Sequence, residues 1–197
     1  MSTILKDSFL YDALVYVSRI KQFKPIDVAV YIVWVGLMYG LFAVVSAFLY
    51  VGYSNGVIYP DYVWNIPLGT FIFSTAIAID TIGHRTIYKE VLKKGEALIH
   101  HITIASGITS VMALCLAYGH REFMMMPAAV LIFLSILYSV IDEAMHWHRY
   151  LTSNSDRVEM WSHFSILLGH LIMIGSWWIW FSEGYLGVSE TLAVLAK

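Results

Sequence analysis

The chain has 197 residues, of which 59% are hydrophobic and 13% charged, with a mean hydropathy of +0.69 and a formal net charge of −2. That apolar content exceeds ordinary soluble usage and points to a membrane protein with one compact domain, while the near-neutral charge gives no reason to expect nucleic acid. The single cysteine, Cys115, lies inside an apolar run and excludes an intrachain disulfide framework and any cysteine-rich metal site.

Residues 1–24 are expected to form a cytoplasmic interfacial helix. Ile4, Leu5, Phe9, Leu10, Ala13, Leu14 and Val17 fall on one helical face, with Lys6, Asp7 and Asp12 elsewhere. Asp7, Asp12, Arg19, Lys21 and Lys24 make this stretch too polar for a spanning helix or a signal peptide. It can lie on the membrane surface or pack against the remaining helices.

Residues 25–197 are expected to form a single transmembrane domain. A bilayer crossing needs roughly 20 apolar residues, and five runs are long enough: 27–53, 65–87, 96–119, 124–146 and 160–182. Asn55-Gly56 and Pro60-Asp61 break the chain after the first run, and Gly119-His120-Arg121-Glu122 turns it between the third and fourth. Tyr59, Tyr62, Trp64, Trp177, Trp178 and Trp180 have the character of interfacial anchors. Gly107, Gly169 and Gly175 are candidate points of close helix approach. The tail after Phe181 is short and mildly apolar.

Ten of the twelve basic residues fall on one side of this topology: Lys6, Arg19, Lys21, Lys24, Arg85, Lys89, Lys93, Lys94, Arg149 and Arg157, against Arg121 and Lys197. The positive-inside rule makes the N-terminal side cytoplasmic and the C-terminus external.

A repeated string carries the chemistry. Residues 79–101 and 141–163 each open with Ile-Asp, place a His four residues after the Asp, cross a polar turn, and resume with Glu and, four residues later, His. The pairs are Asp80/His84 with Glu96/His100, and Asp142/His146 with Glu159/His163; the offset is 62 residues in the first half and 63 in the second. This implies an internal duplication of a two-helix hairpin, over 65–119 and 124–182. A spacing of four puts each pair on one helix face. Four helices then offer carboxylate and imidazole at one depth, near the cytoplasmic face, as a four-helix metal-binding bundle would require.

Eight such groups suffice for two metal ions, with iron favoured and zinc or copper as alternatives; mixed carboxylate and imidazole ligation suits these metals, and the lack of thiolates excludes iron–sulfur clusters. His101, Glu143, His148 and His170 are additional candidate ligands or supports, with His170 seven residues beyond His163 and Gly107 at its corresponding place. Glu143, Tyr88 and Tyr150 are candidate catalytic groups, the two tyrosines lying at equivalent positions. Any one Asp–His pair could also be an ordinary intrahelical hydrogen bond, and the whole set a metal-free polar core or proton path.

The arrangement resembles the integral-membrane, histidine-rich di-iron desaturases and hydroxylases, and the His100-His101 doublet is similar to their boxes. Their motifs are nearly all histidine, whereas Asp80, Glu96, Asp142 and Glu159 stand here where many of theirs are His. Asp80/His84 and Asp142/His146 also resemble the Asp-x-x-x-His fragment of copper-dependent membrane monooxygenases. The resemblance covers about 25 residues per repeat and implies an oxidoreductase that uses oxygen on a lipid-like substrate, with an electron donor as partner. The alternatives are a zinc-dependent membrane hydrolase with Glu143 as general base, a metal transporter, and a non-catalytic metal- or haem-binding subunit of a membrane complex.

Overall fold

The computed structural model describes residues 8–88, 94–153 and 156–197. Ile4, Leu5, Lys6, Asp7, Lys89 and Lys93, which entered the sequence reading, lie outside the described residues. The described chain is helical: α1 Phe9–Ser18, α2 Pro25–Ser54, α3 Asn65–Thr86, α4 Lys94–Leu116, α5 Arg121–Ser153, α6 Arg157–Ser182 and α7 Val188–Leu195, with 3₁₀ turns at Arg19–Gln22 and Asp61–Trp64. Five of these, α2 to α6, are long and apolar enough to cross a membrane, which suggests a membrane protein.

Local chemistry sets the helix starts. Pro25 opens α2 with its fixed φ. The Asp27 carboxylate accepts from the Lys24 backbone N–H at 3.1 Å, which satisfies one donor at that terminus. Asp156 caps α6 by accepting from the Val158 N–H at 2.9 Å. Pro127 lies inside α5 without ending it. That helix also runs past residue 146, where the apolar pattern fades, to Ser153. The extra turns carry Arg149 one turn beyond His146.

α6 is the central helix, packed against α3, α5 and α4; α4 packs on α5, and among the described helices α2 packs on α3 and α7. The α3–α6 crossing is the tightest. A Cβ built on Gly69 would lie 2.5 Å from the Met173 backbone N, and one on Gly169 would lie 2.6 Å from the Phe73 N. Only hydrogen at both positions lets the backbones approach this closely. Gly107 and Gly175 have nothing within 4 Å of such a Cβ, so close approach falls to Gly69 and Gly169 instead. Gly69→Ala or Gly169→Ala is therefore expected to force the helices apart, at about 1–3 kcal/mol each. Thermal melts in detergent would check this; an unchanged melt for both would contradict the crossing.

The core near the far end of α6 contains Met173, Ile174, Trp177, Trp180 and Phe181, all buried. Trp177 and Trp180 are thus core residues rather than interfacial anchors, and Trp180 donates its Nε1–H to the Leu186 carbonyl at 2.9 Å. Tyr59 is buried too, and its hydroxyl bonds Thr191 of α7. That contact folds the tail back as a helix against α2.

α1 uses two faces. Leu10 and Leu14 are exposed, at 65% and 63%, whereas Tyr16 on the opposite side is 0% exposed. α1 packs on α3 and α6, tied by Arg157–Asp12 and by Arg19–Asp156 at 4.0 Å. Phe9, Leu10, Leu14 and Val17 of the stripe visible in sequence are exposed while Ala13 packs beside Tyr16, and the helix docks on the core.

Candidate metal centre

α3, α4, α5 and α6 each bring their carboxylate and imidazole to one region. Ligand nitrogens of His84, His146 and His163 lie within 4.8 Å of one another. His146 and His163 are buried and His84 is half-buried. Asp80 Oδ1 lies 3.0 Å from His163 Nε2, and Asp80 Oδ2 lies 3.4 Å from His84 Nε2. On the other side Asp142 Oδ2 accepts from His100 Nδ1 at 3.1 Å.

These contacts come in matched sets. Asp80 of the first string meets His163 of the second, and Asp142 of the second meets His100 of the first. His84 stacks on His100 with centroids 4.9 Å apart, and the corresponding His146 stacks on His163 at 3.4 Å. The helices repeat the pattern, since α3 packs on α6 and α5 on α4. Among the described residues, α3 and α4 do not pack backbone to backbone, and the His84–His100 stack lies between them.

The donor set fits a metal ion. Asp80 Oδ1 and His163 Nε2 face each other at 3.0 Å and partner one another. His84 Nε2, Asp142 Oδ1 and His146 Nε2 are buried and have no hydrogen-bond partner. Buried polar atoms left so are costly, and several facing one another mark a ligand site. His146 Nδ1–H donates to the Asp142 carbonyl at 2.8 Å. A carbonyl can only accept, so the proton sits on Nδ1 and Nε2 presents a lone pair, the tautomer metal-bound histidines use. Ligand nitrogens on a tetrahedral ion with bonds of about 2.0–2.1 Å stand roughly 3.4 Å apart, so nitrogens within 4.8 Å of one another would close by up to about 1.4 Å on binding.

Two of the expected ligands do something else. Glu96 and Glu159 both accept hydrogen bonds from one guanidinium, that of Arg149. Sequence reasoning used Arg149 only as a topology signal. Its position was informative nonetheless, because 142, 146 and 149 follow i, i+4, i+7 and share a helix face. The Arg149 guanidinium lies over the Tyr88 ring at 4.9 Å, and the Tyr88 hydroxyl is hydrogen-bonded to Glu159. Burial, reinforced by that carboxylate, holds the Tyr88 hydroxyl well above the ordinary phenol range, so it stays a donor at neutral pH. Tyr150, its sequence counterpart, is half-buried and meets Trp147 edge-on.

The remaining candidates separate by burial. His101 is exposed and its Nδ1–H donates to the Ala97 carbonyl at 2.6 Å; His148 is exposed as well. His170 is buried, with Nε2 3.2 Å from Ser135 Oγ and its ring beside Phe73. Glu143 is buried next to Asp142, and its Oε1 has no partner. Tyr16 is a further group that sequence reading missed. Its hydroxyl is buried without a partner, and it occupies the space a Cβ of Gly83 would need. Burial raises this hydroxyl's pKa, with Asp80 and Glu159 adding to the effect. No periodic signal marks it, since it lies off the apolar stripe of α1.

Comparison with protein-family models, curated proteins and solved structures finds no match to this chain, so what the centre can do is read from its own donors.

Proposed function

We propose that the chain is an integral membrane oxidoreductase in which α3 to α6 form a four-helix bundle around a metal centre, acting on a hydrophobic substrate drawn from the bilayer. The observation that carries this is the convergence of the His84, His146 and His163 nitrogens within 4.8 Å, beside buried carboxylate oxygens that have no donor. The matched Asp80–His163 and Asp142–His100 contacts support an internal duplication as the origin of the centre. Among the described residues five carboxylates are buried here (Asp80, Glu96, Asp142, Glu143 and Glu159), with one guanidinium, that of Arg149, beside them. A cation is the direct way to balance that charge in a low-dielectric interior.

The nitrogen-rich donor set with two aspartates suits iron among the first-row metals, in keeping with the resemblance to membrane di-iron oxygenases. Such an ion supplies redox chemistry with oxygen, given electrons from a donor protein or small molecule. The residues do the rest. His84, His146 and His163 hold the ion, Asp80 sets its charge, and Asp142 fixes His100 from one side and His146 through its carbonyl. Tyr88 and Arg149 fix the glutamates at the polar mouth.

A second reading is zinc-dependent hydrolysis, favoured by one observation: the buried Glu143 Oε1 has no partner and could accept a proton from water. Metal analysis of freshly purified protein separates the two. Iron supports the oxidoreductase, zinc the hydrolase, and a metal-free preparation that takes up neither would sink both. A Soret band would instead favour haem.

The excess of basic residues on the N-terminal side supports a cytoplasmic N-terminus and an external C-terminus. A C-terminal tag is expected to be cleaved by protease added to the outside of intact cells, and an N-terminal tag to be spared. The opposite pattern would invert the topology and move the centre to the outer face.

A further inference from the structure

We infer that the centre holds one metal ion, and that the Arg149 guanidinium stands in the place of a second; this rests on the metal-centre reading above. The eight repeated donors are enough for two ions, but they divide into two sets. One set is the imidazoles with Asp80 and Asp142. Within it the buried Asp142 Oδ1, His84 Nε2 and His146 Nε2 have no partner, and three of its nitrogens are close enough together to close on a single ion. The other set is Glu96 and Glu159. These lie four residues, one helical turn, before His100 and His163, and both are bound to the same guanidinium. In this second set Glu159 Oε2 and Arg149 Nε are without partners, but each carboxylate is bound to the guanidinium through Oε1.

The guanidinium is well held. It is a planar, permanent cation whose fork of N–H groups suits two carboxylates. Its side chain is only 13% exposed, and the Tyr88 ring covers it at 4.9 Å. A divalent ion brought to Glu96 and Glu159 would sit against this fixed positive charge in a poorly screened environment. It would have to displace the arginine to bind.

The repeat accounts for there being one such arginine. Residue 149 corresponds to residue 87 at the 62-residue offset, and position 87 is isoleucine. A single guanidinium bridges the two equivalent glutamates, so the site needs no second. Glu96 and Glu159 then act as supports that anchor α4 and α6 to α5, rather than as ligands.

Metal content per chain tests this, measured after saturation with ferrous iron or zinc and removal of loosely bound ion. The wild-type chain is expected to retain one ion. Arg149→Ala, which frees both carboxylates, is expected to retain two, and Arg149→Lys, which keeps the charge, one. Glu96→Gln is expected to retain the single ion, because Glu96 is not a ligand. Two ions in the wild-type chain would overturn the inference while leaving the metal-centre reading intact. So would loss of the ion in Glu96→Gln, a measurement that decides the matter even if Arg149→Ala does not fold. A folded Arg149→Ala chain that retains only one ion would overturn it too. A wild-type chain with no ion would overturn the metal-centre reading itself.

Discussion

His163→Ala is expected to remove the bound metal, with affinity falling by more than about 100-fold, beyond the roughly 10–100-fold that loss of a supporting residue costs. His163 is buried at the centre of the converging imidazoles. It lies 3.0 Å from Asp80, stacks on His146 at 3.4 Å, and has its centroid 6.0 Å from that of His84 and 6.1 Å from that of His100. Deleting it removes one of the three closest nitrogens and also the contact that steadies Asp80. His101→Ala and His148→Ala are the matched controls. Both residues are exposed, and both variants are expected to keep full metal content. Asp142→Asn should fall between, since it weakens the acceptor for His100 but keeps the backbone carbonyl that orients His146. The measurement is metal per chain, at equal folded protein, against a chelator series. Full metal in His163→Ala would remove it from the ligand set and leave the convergence without a function.

The helices were legible in the sequence because span length and hydropathy are one-dimensional properties. Pro25 lies at the helix start its chemistry predicts. The pairing of helices was not legible, because it depends on where backbones can approach. Gly69 and Gly169 set that; Gly169 was among the glycines expected to do so, but nothing in an apolar run distinguishes it from Gly107 or Gly175, or singles out Gly69. Trp177 and Trp180 misled for a related reason: composition places tryptophan at interfaces, yet α6 is surrounded and buries both. The four Asp/Glu–His pairs were visible through their repetition. Their cross-pairing, Asp80 with His163 and Asp142 with His100, needs the packing of α3 on α6 and of α5 on α4. The largest difference lies at Arg149. In sequence it was one of ten basic residues on one side, and a charge count cannot show that this side chain turns inward to two glutamates.

That inward turn sets the largest expected effect on stability. Arg149→Met leaves Glu96 and Glu159, 7% and 1% exposed, facing each other with no cation. Removing one partner of a buried ion cluster costs about 3–5 kcal/mol, because the remaining charges are left uncompensated. Loss of the guanidinium from the Tyr88 face adds about 1 kcal/mol. For a chain of this size each kcal/mol lowers the melting temperature by roughly 2–4 °C on the scaling of soluble proteins, so the metal-stripped variant should melt roughly 10 °C lower or more. The triple variant Arg149→Met/Glu96→Gln/Glu159→Gln removes every charge together. It should recover most of the loss, since replacing a whole buried ion cluster with neutral groups is often close to neutral in stability. Melting of metal-stripped protein in detergent checks both outcomes. If Arg149→Met alone melts with the wild type, the glutamates are not held by Arg149 in the folded protein, and the division of donors between an ion and a guanidinium falls with it. If instead added metal restores the single variant's melt but not the triple's, the freed glutamates have taken a cation in the arginine's place.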